Sequence, residues 1–67
     1  MENRLKVLRA EEDITQAELA EQVEVSRQTV NAIETGKYDP SLELALKIAE
    51  FFDTEVEDVF YPAGSTE

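Results

Sequence analysis

Apolar residues recur at helical spacing along almost the whole chain, broken by short polar intervals that carry capping residues. Leu5 and Leu8 share one face with Val7 to the side, and Asn3 stands where a helix cap belongs. This first helix is expected to fray near residues 11–13, where acids gather at the unfavourable C-terminal end. Thr15-Gln16-Ala17-Glu18 has the capping-box pattern, with Ile14 placed to staple onto Leu19. Leu19, Ala20 and Val23 form the inner face of that second helix. Ser26 then caps a third, Arg27 to about Glu34, in which Val30 and Ile33 point inward and Val25 and Val30 form a second staple. Gly36 suits the left-handed residue that ends it, and Pro40 holds Asp39 extended in the following loop. Ser41 caps a fourth helix with Leu42, Ala45, Ile48, Ala49 and Phe52 on one stripe. Thr54-Glu55-Val56-Glu57 reads as another capping box, opening a short fifth helix with Val56, Val59 and Phe60 available for burial. No segment alternates with period two over a useful length, so no strand is expected. The pattern predicts a compact all-α, five-helix domain over residues 1–61, followed by a mobile tail at 62–67.

Composition narrows what such a domain can do. At 67 residues the chain has room for one domain, which buries only about 60% of its unfolded surface. It has no cysteine and no histidine, which excludes disulfides, thiol chemistry and ordinary zinc sites. No apolar run approaches the roughly 20 residues that span a bilayer, and the polar N-terminus is not a signal peptide. A soluble, cytoplasmic protein without a membrane partner is expected. Consecutive acids such as Glu11, Glu12 and Asp13, or Glu55, Glu57 and Asp58, point apart on helices, so they suggest solvated faces and no metal site. An enzyme is not expected either. A general base would have to be a carboxylate or lysine, and no cleft-building sequence surrounds one. No cofactor and no small-molecule effector are implied.

Charge complicates the picture. Sixteen acids face six bases, a formal net charge of -10, yet the imbalance is segregated. Within residues 25–38 the sole acid, Glu34, is set against Arg27 and Lys37. Residues 41–67 carry Glu43, Glu50, Asp53, Glu55, Glu57, Asp58 and Glu67 against Lys47 alone. The acid-poor window falls on the second and third helices, whose tight connection reads as a helix-turn-helix. With Val30 and Ile33 inward, Arg27, Gln28 and Asn31 project outward and Ser26 and Thr29 sit nearer the edge. Arginine pairs with guanine and glutamine or asparagine with adenine, so Arg27, Gln28, Asn31 and Thr29 are the candidate base contacts. Gln16, at a helix N-terminus, is placed for a phosphate, as are Ser26, Lys37 and Tyr38.

The run Gln16-x-x-Leu19-Ala20-x-x-x-x-Val25-Ser26-x-x-Thr29-Val30-x-x-Ile33-Glu34-x-Gly36 resembles the Cro/repressor-type helix-turn-helix, also called the xenobiotic-response-element family. The stretch from Ser26 through Leu42 is similar to its small free-standing prokaryotic regulators. The resemblance implies operator binding by a homodimer and transcriptional control, with Gln16 on phosphate and Gln28 and Asn31 on base edges. It also implies an ion pair between Arg9 and Glu34, joining the first and third helices. Glu24 occupies a turn position that is usually glycine in the family, where a left-handed backbone is common.

Each candidate has a plainer reading. Arg27 can pair with Glu24 instead of DNA, Thr29 can pack beneath the second helix, and Tyr38 can be a loop-packing aromatic. The competing function is a protein-binding module of the same fold, such as an antitoxin-like partner, using the acidic surface of its last two helices. One short recognition helix reads too few base pairs to be selective, so two half-sites roughly 34 Å apart and a homodimer are expected. Val59, Phe60 and Tyr61 are the candidate dimer interface. The acid excess suits a salt-rich cytoplasm, where screening relieves self-repulsion.

Overall fold

The computed structural model describes residues 1–62; the expected tail lies, from residue 63 onward, outside the described residues. Helix α1 spans Leu5–Glu12, α2 Gln16–Val23, α3 Arg27–Glu34, α4 Leu42–Phe51 and α5 Val56–Val59. Two short strands, β1 (Glu2–Asn3) and β2 (Phe60–Tyr61), pair antiparallel with Asn3 opposite Phe60. No strand was expected, because two residues are too few to show a period. The pair exists because the helices bring the two ends of the chain together.

Local chemistry sets most boundaries. Thr15 caps α2 with the full reciprocal box: its hydroxyl accepts the Glu18 N–H (3.0 Å), and the Glu18 carboxylate accepts the Thr15 N–H (2.8 Å). Ser26 and Ser41 each accept the N–H three residues on, at 3.1 Å. The helix ends turn on left-handed residues: Asp13 after α1, Glu24 after α2, Gly36 after α3 and Asp53 after α4. α1 ends at Glu12, within the stretch where fraying is expected, and the left-handed Asp13 closes it.

Three sequence readings need correction. Arg4, not Asn3, is the N-cap of α1, although the Asn3 Oδ1 accepts the Leu5 N–H (3.0 Å) from one residue earlier. Asn3 is held there because its Nδ2 donates to the Ile33 carbonyl at the end of α3 (2.8 Å). The box at Thr54 does not form: Glu55 is the N-cap of a four-residue helix, and the Thr54 hydroxyl bonds Asp58 Oδ2 (3.2 Å). On α4, Leu44 is buried beside Ala45, Ile48 and Ala49, whereas Leu42 is 71% exposed. Leucines at 42, 44 and 46 surround the helix, so periodicity alone could not choose the buried one.

Leu5, Leu19, Val30, Ile33, Ile48 and Val59 are the fully buried centre, drawn from every helix. Full burial of such a side chain stabilises by about 1.5–3 kcal/mol. Helix α2 packs on both α3 and α4, and α4 carries α5. This arrangement packs α3 by its inner side.

Candidate nucleic-acid interface

Helix α3 has two unlike sides. Val30 and Ile33 are sealed in the core, while Arg27, Gln28 and Asn31 are all exposed. Ser26 is engaged as the cap, and its hydroxyl also shares a hydrogen bond with the Thr29 hydroxyl (3.0 Å). Thr29 is half-buried beside Val25 and Tyr38, on a different flank of α3 from Gln16. Lys37 is exposed, and so is Tyr38.

A chain of polar contacts runs along the other flank. Arg9 Nε and Nη2 donate to Glu34 Oε2 (2.6 Å) and Oε1 (3.1 Å), a fork-on-fork ion pair between α1 and α3. A third Arg9 donor, Nη1, holds the Ile14 carbonyl in the α1–α2 turn at 3.0 Å. The side chains are sheltered, 15% exposed for Arg9 and 5% for Glu34. The hydrogen bond to Glu34 holds the Arg9 pKa above its ordinary value; burial opposes the shift and the Glu34 charge adds to it. Gln16 Nε2 then donates to Glu34 Oε1 (2.9 Å) and to Asn31 Oδ1 (3.1 Å), joining the first residue of α2 to the middle of α3.

Both hydrogens of the Gln16 amide group are thus used within the protein. What that residue offers an anion is its main-chain N–H, one of the first-turn groups that a helix cannot satisfy by itself. Arg27 lines the same cleft as Thr15, Gln16 and Ala17, together with the acid Asp13. Arg27 has no ion-pair partner among the described residues. Glu24 pairs with Lys47 instead (3.0 Å).

A helix-turn-helix family model matches residues 5–59, all five helices. The chain belongs to the Cro/repressor-type helix-turn-helix family. It is 58% identical over 60 residues to an uncharacterized HTH-type transcriptional regulator of Methanocaldococcus jannaschii, covering 90% of this chain and 91% of that one. It is 54% identical over 61 residues to the regulator YgzD of Bacillus subtilis, covering 91% and 92%. Among solved structures it is similar to the restriction-modification controller protein C.AhdI from Aeromonas hydrophila. That match has 33% identity and a TM-score of 0.78 over 85% of this chain and 86% of the other. As a member of this family the chain is a DNA-binding transcriptional regulator and not an enzyme.

Within the helix-turn-helix, the fold gathers Gln16, Arg27, Gln28 and Asn31 around the start of α2 and the exposed side of α3. It sets Thr29 and Tyr38 on the opposite flank and Lys37 just past the C-terminal end. Val59 and Phe60 are 0% and 6% exposed, and Tyr61 is half-buried in β2. β2 folds back on β1, so Val59 and Phe60 pack into the core of the monomer and Tyr61 stays at its edge. The bond from Gln16 to Asn31 joins residues fifteen apart and is not legible in the sequence. Its one signal was the spacing of Asn31 and Glu34, three apart and therefore on one side of α3.

Proposed function

We propose that the chain is a sequence-specific transcriptional repressor that binds double-stranded operator DNA as a homodimer, with α3 of each copy in a major groove. The observation that carries this reading is the division of α3. Its inner side is core, and its outer side presents Arg27, Gln28 and Asn31 together. Gln28 suits adenine, Arg27 suits guanine or a phosphate in the Gln16 cleft, and Thr29 supplies a methyl at the edge. Ser26, Lys37, Tyr38 and the Gln16 main chain fix the register on phosphates. A promoter so occupied excludes polymerase, and the work is cytoplasmic, where the chromosome is.

A second copy fits the shallow groove between α4 and α5, which takes no residue from α3. Leu42 and Leu46, 71% and 51% exposed, line it with Ala49 and Val56. Glu50, Asp53, Glu55 and Glu57 line the same groove, so two copies repel one another there until salt screens them. Dimerisation and DNA binding by this acidic chain therefore suit a cytoplasm rich in potassium salt. The same groove supports the second reading, a module for a basic amphipathic partner.

Selection from a random DNA pool at low and at molar KCl separates the two. A repressor enriches a two-fold symmetric site, and Gln28→Ala weakens it by about 1–3 kcal/mol while relaxing one base position per half-site. Enrichment of nothing at either salt, with a basic polypeptide still bound by the α4–α5 groove, establishes the partner-binding module instead.

A further inference from the structure

We infer that Gln16 and Glu34, neither of them a base-contacting residue, set the hydrogen-bond code that Asn31 presents, so that Asn31 reads an acceptor on the base edge. This rests on α3 entering the major groove as proposed above. An ionised carboxylate only accepts hydrogen bonds. Glu34 is 5% exposed, and both of its oxygens accept from the Arg9 guanidinium, so it faces Gln16 as an acceptor. The Gln16 atom 2.9 Å from Glu34 Oε1 must therefore be the NH2 group and not the carbonyl oxygen. Its second hydrogen faces the Asn31 amide at 3.1 Å, and the atom it meets must be Asn31 Oδ1. Polarity passes from Arg9 through Glu34 and Gln16 to Asn31 with no freedom to invert at any link.

Asn31 is left with Oδ1 turned back to α2 and with the two hydrogens of Nδ2 to project. In the major groove guanine offers two adjacent acceptors, O6 and N7, and thymine offers O4, whereas cytosine offers only a donor. Adenine offers a single acceptor, N7, and its paired contact also needs Oδ1 as an acceptor beside Nδ2, but Oδ1 is tethered. Asn31 accordingly prefers guanine, then thymine, and rejects cytosine. Gln16 acts as a positioning residue for specificity, independent of any phosphate contact by its main chain.

The test is pool selection on the full chain and on Gln16→Ala, Asn31→Asp and Asn31→Ala, each checked for folding by circular dichroism. Asn31→Ala identifies the base position read. The wild type should prefer guanine there over cytosine by about tenfold. Gln16→Ala frees the amide to rotate, so that the paired contact to adenine opens and its frequency at this position rises while the other positions keep their preferences. Asn31→Asp still accepts from Gln16 but presents an oxygen outward, turning the preference to cytosine. If Gln16→Ala weakens all sequences uniformly and leaves the base preference intact, Gln16 is only a phosphate or stability residue and the inference is overturned. The same holds if the wild type prefers adenine there. A wild type that enriches no sequence defeats the DNA reading itself, and that arm is scored before any variant. Side-chain amide NMR of the unbound protein gives a readout without DNA. The Gln16 NH2 signals should shift in Asn31→Ala, and unchanged signals contradict the relay.

Discussion

Replacing Glu24 by glycine should raise the melting temperature, although it deletes a visible ion pair. Glu24 ends α2 at φ 64° and ψ 42°, in the left-handed region. Its main chain is needed there, since the Glu24 N–H donates to the Ala20 carbonyl, and so does the N–H of Val25. The left-handed conformation costs an ordinary L-residue about 1–2 kcal/mol. Asp13 and Asp53 occupy the same region, but short aspartate side chains tolerate it better than glutamate does. Glycine removes the strain while adding unfolded-state freedom, which costs about 0.4–1 kcal/mol. The lost pair with Lys47 is wet, at 77% exposure for Glu24 and 42% for Lys47, so it belongs at the low end of about 0–1 kcal/mol. The balance favours glycine by about 0.5 kcal/mol, or roughly 2–4 °C for a domain of this size. Scanning fluorimetry or circular dichroism measures it, with Lys47→Met as the control that removes the pair alone. A Glu24→Gly protein that melts below wild type would refute the strain argument.

Arg9→Ala strands the sheltered Glu34 carboxylate and should destabilise the domain by about 2–4 kcal/mol, toward the lower side of buried-pair losses because Arg9 is partly wet. Urea titration checks this, and Arg9→Met combined with Glu34→Leu should recover much of the loss. Leu46→Glu replaces an exposed apolar contact with a fifth acid in the α4–α5 groove and should shift sedimentation toward monomer with the melting temperature little changed; an unchanged dimer would clear that groove of the role. For the wild type, the melting temperature should climb between low and molar KCl as the charge of -10 is screened. A flat response would remove the link to a salt-rich cytoplasm.

What could be read from sequence was whatever depends on neighbours along the chain. Ser26, Ser41 and the Thr15–Glu18 box declared three helix starts, because a cap is satisfied within three residues. Val30 and Ile33 fixed the inner side of α3 and so exposed Arg27, Gln28 and Asn31. Where apolar residues surrounded a helix, as with Leu42, Leu44 and Leu46, local pattern left the choice open. Contact with α2 and α5 decided it.

The short strands, the burial of Val59 and Phe60 and the Arg9–Glu34–Gln16–Asn31 chain depend on residues from distant parts of the sequence, and only tertiary packing could place them. Val59 and Phe60 pack in the core of their own chain, and local pattern could not show this, because an apolar residue looks the same whether its partner is in its own chain or another. The helix-turn-helix and its outward residues were determined by the sequence. The direction in which Asn31 presents its amide was decided by the fold, because a side-chain amide takes its orientation from the groups brought against it.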